Sequence, residues 1–277
     1  MQIVGTGNVT FILLSGIAVR SNLRLSDNVE LQSADTSHLD LKTALSACSH
    51  PDDIAVVAAF VPRSTAQLRI TAATPKELAV IAWNASWDAL LLSAFLRIEI
   101  GFNLQSDTTA NKISAESHLR ATNRYMHGMT NESQHMLTAQ ERRWITAHFA
   151  DAQRLLDNER FQTAAHCLAT YRWHSMPRIR LAILWAGIEG IFGASSEIRF
   201  RISLYIARYL HPDDAVARKA VFDAVQKLYN TRSAAVHGSK IKGDTAVAVE
   251  DSAKILSNLL LRCATVGSMP DANELVP

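Results

Sequence analysis

The sequence predicts an α+β protein in which a β-rich N-terminal region is followed by a C-terminal, all-α helical bundle. Two patterns predict this division. Short apolar runs separated by turn residues occupy the first 73 positions, and apolar residues three or four apart recur from position 138 onward. Residues 103–135 are polar and weakly periodic, so we place the boundary at their end. The predicted domains are an N-terminal α+β domain at 1–135 and a helical domain at 136–277.

The N-terminal region begins with short strands and then forms one long helix. Thr74-Pro75 is a typical helix start with proline at the first position, and the helix should run to about residue 100 and stop at Gly101. Trp83 and Trp87 belong to an apolar stripe along it, which predicts that both pack on the sheet. Strands are predicted for 9–17, 22–25, 29–31, 54–61 and 68–72.

The second half has the periodicity and the punctuation of consecutive helices. Thr138 and Glu141 form a capping box, in which each side chain accepts a hydrogen bond from a free backbone N–H at the helix start. Short connections between helices favour antiparallel neighbours, and hence a bundle. Helices are predicted for 139–157, 159–173, 177–192, 197–210, 213–237 and 246–265.

Charge is distributed unevenly although the net charge is only +2. Residues 160–242 contain 13 Lys and Arg against 5 Asp and Glu, whereas residues 1–135 contain 10 against 12. A locally basic surface is what a phosphate-binding partner requires, although solvated helix faces give the same pattern.

Cysteine usage and hydropathy predict a cytoplasmic protein with no membrane contact. The three cysteines are far apart and form no C-x-x-C pair, which is typical of a reducing compartment and argues against a thiolate metal site. The apolar segment 9–18 has no basic residues before it, so we interpret it as a strand and not as a signal peptide. No motif for a cofactor or a metal is present, and none is expected.

The segment 228–238 contains the residues that suggest chemistry. It ends a long helix, with Gly238 in the usual position after the C-terminus. His237 then lies on the last turn, where unpaired carbonyls and the helix dipole favour the protonated imidazole. Arg232 is five residues earlier, which places it roughly 140° around the helix from His237. Both groups can reach one phosphate only if a second surface, such as a second copy of this helix, forms a cleft with the first.

Three neighbours share the faces of this pair. Asn230 and Ser233 lie on the face of His237, and Tyr229 lies on the face of Arg232. We count them as supporting residues of the candidate site.

The segment Arg-Ser-Ala-Ala-Val-His at 232–237 resembles the R-x4-6-H motif of the HEPN family. With the preceding Tyr-Asn-Thr at 229–231 it looks like the variant found in ApeA-like HEPN proteins. The upstream segments 184–192 and 197–203 are similar to helices of the same subfamily. The resemblance covers roughly residues 140–265 and implies a HEPN-like fold for the helical bundle.

The resemblance implies a metal-independent endoribonuclease, acting as a homodimer on RNA, with a bacterial or antiviral defence or toxin role. His237 would be the general acid or base, Arg232 would bind the scissile phosphate, and the product would carry a 2′,3′-cyclic phosphate. Ser233 stands where active members often have Asn, Asp or His, and serine cannot carry charge. The alternative is a non-catalytic HEPN module for dimerisation or RNA binding.

Glu189 interrupts an otherwise apolar helix, and a buried carboxylate is costly unless it is paired. Its candidate partners are Arg232, Arg199 and Arg201. The ion pair could pin two helices together, or it could orient the arginine of the candidate site.

Four basic residues near the motif are candidates for contacts with RNA phosphates. Arg199 and Arg201 belong to the upstream helix, and Lys240 and Lys242 follow the motif. For the two lysines, a solvated loop is the favoured interpretation.

Overall fold

The computed structural model describes residues 3–125, 129, 134–194, 197–240 and 243–276. These residues form two compact units, Met1–Ala150 and Asp151–Pro277. The first contains an antiparallel sheet and the second is helical, which confirms the predicted α+β class.

The N-terminal unit is built on a six-stranded sheet of order β3-β4-β5-β1-β6-β7. The central strand β1 pairs antiparallel with β5 and β6, and its residues Ile12 and Leu14 are fully buried. A separate parallel pair joins β2 to β8. The strands are β1 Val9–Ser15, β2 Ile17–Ala18, β3 Leu23–Arg24, β4 Val29–Ser33, β5 Ser64–Thr71, β6 Gly101–Ser106, β7 Leu119–Ala121 and β8 His135–Met136.

Two short helices and one long helix accompany this sheet: α1 Leu41–Ser46, α2 Ile54–Phe60 and α3 Pro75–Leu96. The start of α3 was predicted correctly, because Thr74 caps it by accepting a hydrogen bond from the backbone N–H of Glu77. Its predicted end was wrong. The helix stops at Leu96, where Arg97 adopts a left-handed conformation, and Gly101 begins β6.

Helix α3 is long and apolar enough to cross a membrane by length and composition alone. However, 67% of its most apolar window is buried within the unit, as expected of a core helix packed on β1 and β5. It is the one helix of this kind among the described residues.

The strand predicted at 54–61 is wrong, since these residues form helix α2. Val56, Val57 and Phe60 are buried at helical spacing, which leaves the other face of the segment toward solvent. The core position predicted for Trp83 is also wrong, because its side chain is 47% exposed, whereas Trp87 is half-buried.

Helix α4, Ala139–Leu155, begins with the predicted capping box. The backbone N–H of Glu141 donates to the Thr138 hydroxyl at 3.2 Å, and that of Thr138 donates to the Glu141 carboxylate at 2.8 Å. The first turns of α4 pack on the N-terminal unit, where Trp144 and Phe149 contact the ring of Phe95. The division between the two compact units falls after Ala150, within α4, and not at the predicted 135/136.

The remaining helices of the C-terminal unit lie close to their predicted ranges. Helix α6 is central, in contact with α5, α8 and α9, and its Trp185 is fully buried. Gly187 allows this packing, because a Cβ atom there would come within 2.9 Å of Leu256 and 3.1 Å of Cys167. The helices are α5 Glu159–Thr170, α6 Pro177–Phe192, α7 Ile198–Leu210, α8 Ala215–Val236 and α9 Thr245–Val266.

Candidate active site at the end of helix α8

Helix α8 ends as the sequence predicts. Asp214 caps its start by accepting hydrogen bonds from the N–H groups of the first turn. His237 is the C-terminal cap residue, with its backbone N–H donating to the Ser233 carbonyl at 3.0 Å, and Gly238 follows with φ of 72°. The His237 side chain is exposed at this helix end.

Arg178, at the start of α6, binds the same end of α8. Its Nη1 donates to the carbonyls of Ala234 and Ala235 at 3.1 and 3.3 Å, and its Nη2 donates to that of Ser239 at 2.8 Å. The carbonyls of Ala234 and Ala235 lie in the last turn, where partners within the helix are lacking, and the negative end of the helix dipole also favours a cation there. Arg178 thereby fixes the backbone on which His237 stands. Sequence analysis missed this role, since it depends on which helices pack together.

Glu189 forms its predicted ion pair, and the partner is Arg232. Nη2 of Arg232 lies 3.0 Å from each carboxylate oxygen of Glu189, with hydrogen-bond geometry to Oε2. The two side chains are only 20% and 21% exposed. Desolvation raises the pKa of Glu189, and the nearby guanidinium opposes that shift. Glu189 engages a single guanidinium nitrogen. Among the described residues, Nη1 makes no hydrogen bond and Nε is buried without a partner.

Aromatic packing holds the arginine from the other side. The guanidinium carbon of Arg232 lies 5.5 Å from the centre of the Tyr229 ring, which itself packs edge-to-face on Trp185 with centroids 5.4 Å apart. Trp185 is anchored by a 3.1 Å hydrogen bond from its indole N–H to the Ser252 hydroxyl on α9. Three helices thus determine where the guanidinium lies.

The other candidate residues near α8 have separate contacts. Arg199 donates to the side-chain oxygen of Asn230 at 3.3 Å, and Arg201 forms an exposed 3.7 Å ion pair with Glu197 on its own helix. Lys240 is exposed beyond the helix end. Ser233 is partly buried and contributes its backbone carbonyl to the turn that ends on His237. Lys242 lies outside the described residues.

The structure brings Glu189, Tyr229 and Arg232 together, but it does not join His237 to them. Arg232 turns toward α6, whereas the His237 side chain makes no hydrogen bond or ion pair with any other described residue. This divergence agrees with the angle of roughly 140° expected for a five-residue spacing on a helix.

Comparisons with protein-family models, with curated proteins and with solved structures found no match to this chain. Among the residues that the structure describes, no three His, Cys, Asp or Glu side chains gather as metal ligands. The chemistry of the site therefore has to be argued from its own geometry.

Proposed function

We propose that this chain is a metal-independent endoribonuclease of the HEPN type, with Arg232 and His237 as its catalytic residues. The observation that supports this most is the position of the Arg232 guanidinium, which Glu189 of α6 holds in an ion pair. Arg232 belongs to α8, the helix whose last turn ends on the exposed His237. An arginine that must receive a phosphate gains from an orientation set beforehand.

The proposed chemistry is a transesterification within the RNA strand. His237 accepts the proton of a ribose 2′-OH as that oxygen attacks the adjacent phosphorus. The bond from phosphorus to the 5′-oxygen breaks, and the departing oxygen takes a proton from a protonated imidazole or from water. The products are a 2′,3′-cyclic phosphate and a free 5′-OH. Arg232 offsets the charge that develops on the phosphate oxygens.

A homodimer is part of the proposal because one helix directs the two groups apart. Helix α6 offers a surface for a second copy next to the ion pair of Glu189. Ile179 and Ala186 are exposed on it, and a Cβ atom at Gly190 would meet nothing within 4 Å. Such small and apolar positions permit close approach of a partner helix.

The proposed setting is the cytoplasm, in a defence or toxin role. All three cysteines are free, as is usual in a reducing compartment.

A non-catalytic HEPN module for dimerisation or RNA binding is the second candidate, and one observation favours it. The Arg232 guanidinium is already bound by Glu189 and is only 20% exposed, as it would be if its role were to join α6 to α8. Ser233, next to it, adds no charge to the site.

Cleavage of mixed RNA in the presence of EDTA distinguishes the two candidates. The wild-type chain should cut RNA and leave ends with 2′,3′-cyclic phosphates, which resist phosphatase until acid opens the ring. His237→Ala should slow the cut by about 10²- to 10⁴-fold, as is usual when a general acid or base is lost. Arg232→Ala should also abolish cleavage, with the circular dichroism spectrum showing whether that variant still folds.

His211→Ala is the matched control, because His211 caps the C-terminus of α7 as His237 caps that of α8. It should cut RNA at the wild-type rate. If RNA stays intact with the wild-type chain, both in vitro and after expression in cells, the ribonuclease proposal fails and the non-catalytic module remains. Equal cleavage by the His237→Ala and wild-type chains would remove His237 from the mechanism.

A further inference from the structure

A second surface of the C-terminal unit has the composition of a ligand site. A groove of about 390 Å³ lies between α7 and the first half of α8. Its floor is apolar, formed mainly by Phe200, Leu204 and Phe222, and its rim is formed by Arg208, Arg218 and Lys219. It contains no residue of the Arg232 ion pair.

The charge of this groove is of one sign. Its lining includes three cationic side chains and no carboxylate among the described residues. Arg218 and Arg208 each donate to a backbone carbonyl, which leaves their charges uncompensated. Lys219 pairs with Asp223 at 2.8 Å, but both side chains are at least half exposed, and such pairs are weak. The groove therefore selects for an anion.

The floor adds an aromatic surface. Phe200 is 50% exposed, and it packs edge-to-face on Phe222 with ring centres 5.7 Å apart. Phe200 therefore leaves aromatic surface open on which a ligand can pack. Aromatic rings between cations form a platform on which unpaired nucleic-acid bases stack while their phosphates meet the positive charges.

The groove leads toward the end of α8. On that helix, Phe222, Asn230 and His237 lie within about 80° of one another, so they share one face of α8. Fifteen residues separate Phe222 from His237, a distance of about 22 Å along the helix axis. Arg199 is bound to Asn230 between them and adds a further positive charge to the path.

We propose that the α7–α8 groove binds single-stranded RNA and presents it to the end of α8, an inference that rests on the proposed ribonuclease function. Its bases stack on Phe200, and its phosphates contact Arg208, Arg218 and Lys219. An acidic peptide would satisfy the cations but has no use for an open aromatic ring. A duplex would keep its bases stacked on each other and away from the phenylalanine.

The test is fluorescence anisotropy with a labelled oligoribonucleotide of about ten nucleotides. All variants are made in the His237→Ala chain, so that cleavage cannot alter the probe. Phe200→Ala should weaken RNA binding by about tenfold. Phe200→Leu should weaken it equally, because it keeps an apolar side chain but loses the ring, and Phe200→Tyr, which keeps a ring, should bind RNA like the parent. Arg218→Glu should weaken binding and reduce the slope of affinity against salt by about one.

Trp83→Ala is the matched control, since Trp83 is an equally exposed aromatic residue in the other unit, and it should leave affinity unchanged. An oligonucleotide without bases should bind the parent no more tightly than RNA binds Phe200→Ala. Three results overturn the groove: no RNA binding by the parent, equal binding by Phe200→Ala and its parent, or stronger binding of a polyglutamate peptide than of RNA.

The two experiments distinguish a failure of the groove proposal from a failure of the ribonuclease proposal. If the wild-type chain cuts RNA, and Phe200→Ala binds and cuts RNA as well as its parent does, the groove proposal is wrong and the catalytic proposal stands. If nothing is cut but RNA binding depends on Phe200 and Arg218, the groove stands and the enzyme does not.

Discussion

The ion pair between Glu189 and Arg232 should contribute more to folding than an equally short pair on the surface of the same unit. The comparison is available because Lys219 and Asp223 on α8 approach to 2.8 Å, close to the 3.0 Å of the Glu189 pair. The two pairs differ in exposure, which is 20% and 21% for the first and 77% and 50% for the second, and in placement, since the first joins two helices and the second lies within α8. The perturbations are Glu189→Gln, Arg232→Met and the double variant.

The expected magnitudes follow from exposure. Removing one partner of a fully buried pair costs about 3–5 kcal/mol, because the other charge is left without compensation. With a fifth of each side chain in contact with water, we expect a cost of about 2 kcal/mol for Arg232→Met, which leaves the Glu189 carboxylate without its partner. The coupling energy between Glu189 and Arg232 should be about 1–2 kcal/mol, against roughly 0.2–1 kcal/mol for Lys219 and Asp223.

The assay is urea denaturation followed by far-ultraviolet circular dichroism, with four proteins in each double-mutant cycle. The double variant Glu189→Gln with Arg232→Met should be more stable than the sum of its single changes predicts. A coupling energy no larger than that of the Lys219 pair would refute the reasoning. It would mean that water screens the half-buried pair as fully as the exposed one.

Two other predictions concern helix α6. Because desolvation raises the pKa of Glu189, its contribution to stability is fully present below the unfolded value of about 4.5 and is lost as pH rises through the folded pKa. The stability of wild type relative to Glu189→Gln should therefore fall over that window, and parallel pH profiles in urea titrations would contradict this. Gly187→Ala should cost about 1–3 kcal/mol, since its Cβ would approach Leu256 and Cys167 too closely. Gly190→Ala should stabilise the fold by about 0.5 kcal/mol, because its Cβ would meet nothing within 4 Å. The measurement is thermal unfolding, and a higher melting temperature for Gly187→Ala than for Gly190→Ala would contradict both predictions.

The helical half was predictable because its signals are local. Apolar spacing gave the helix ranges, and caps such as Thr138 and Gly238 marked their ends within one or two residues. Each of these features depends on contacts within one or two turns. Packing of neighbouring helices then adds stability without changing the boundaries.

The N-terminal half was less predictable because several of its choices depend on tertiary packing. The run 54–61 is eight residues long and wholly apolar, so its periodicity cannot distinguish a strand from a helix. Burial of Val57 and Phe60 against Leu13 and Leu104 of the sheet decides for the helix. Trp83 has the right spacing for the core, but its side chain is 47% exposed to solvent.

At the candidate site, sequence analysis identified the charge that needed a partner but left three arginines open. The structure selects Arg232 because α6 and α8 lie side by side, while Arg199 and Arg201 on α7 find Asn230 and Glu197 instead. A lone carboxylate in an apolar helix was a sufficient signal for an ion pair. Its partner depended on which helices pack together, which spacing along the chain does not contain.

Helix α8 directs Arg232 and His237 to different sides. Arg232 and Tyr229 turn toward α6, where they pack and pair, and substitutions there must act on stability as well as on any RNA chemistry. Phe222 faces the groove with α7, and His237 ends the helix without a bond to any other described side chain. Because that histidine adds little to the fold, its conversion to alanine changes the proposed chemistry alone. This separation is why His237, and not Arg232, gives the cleaner decision between an enzyme and a binding module.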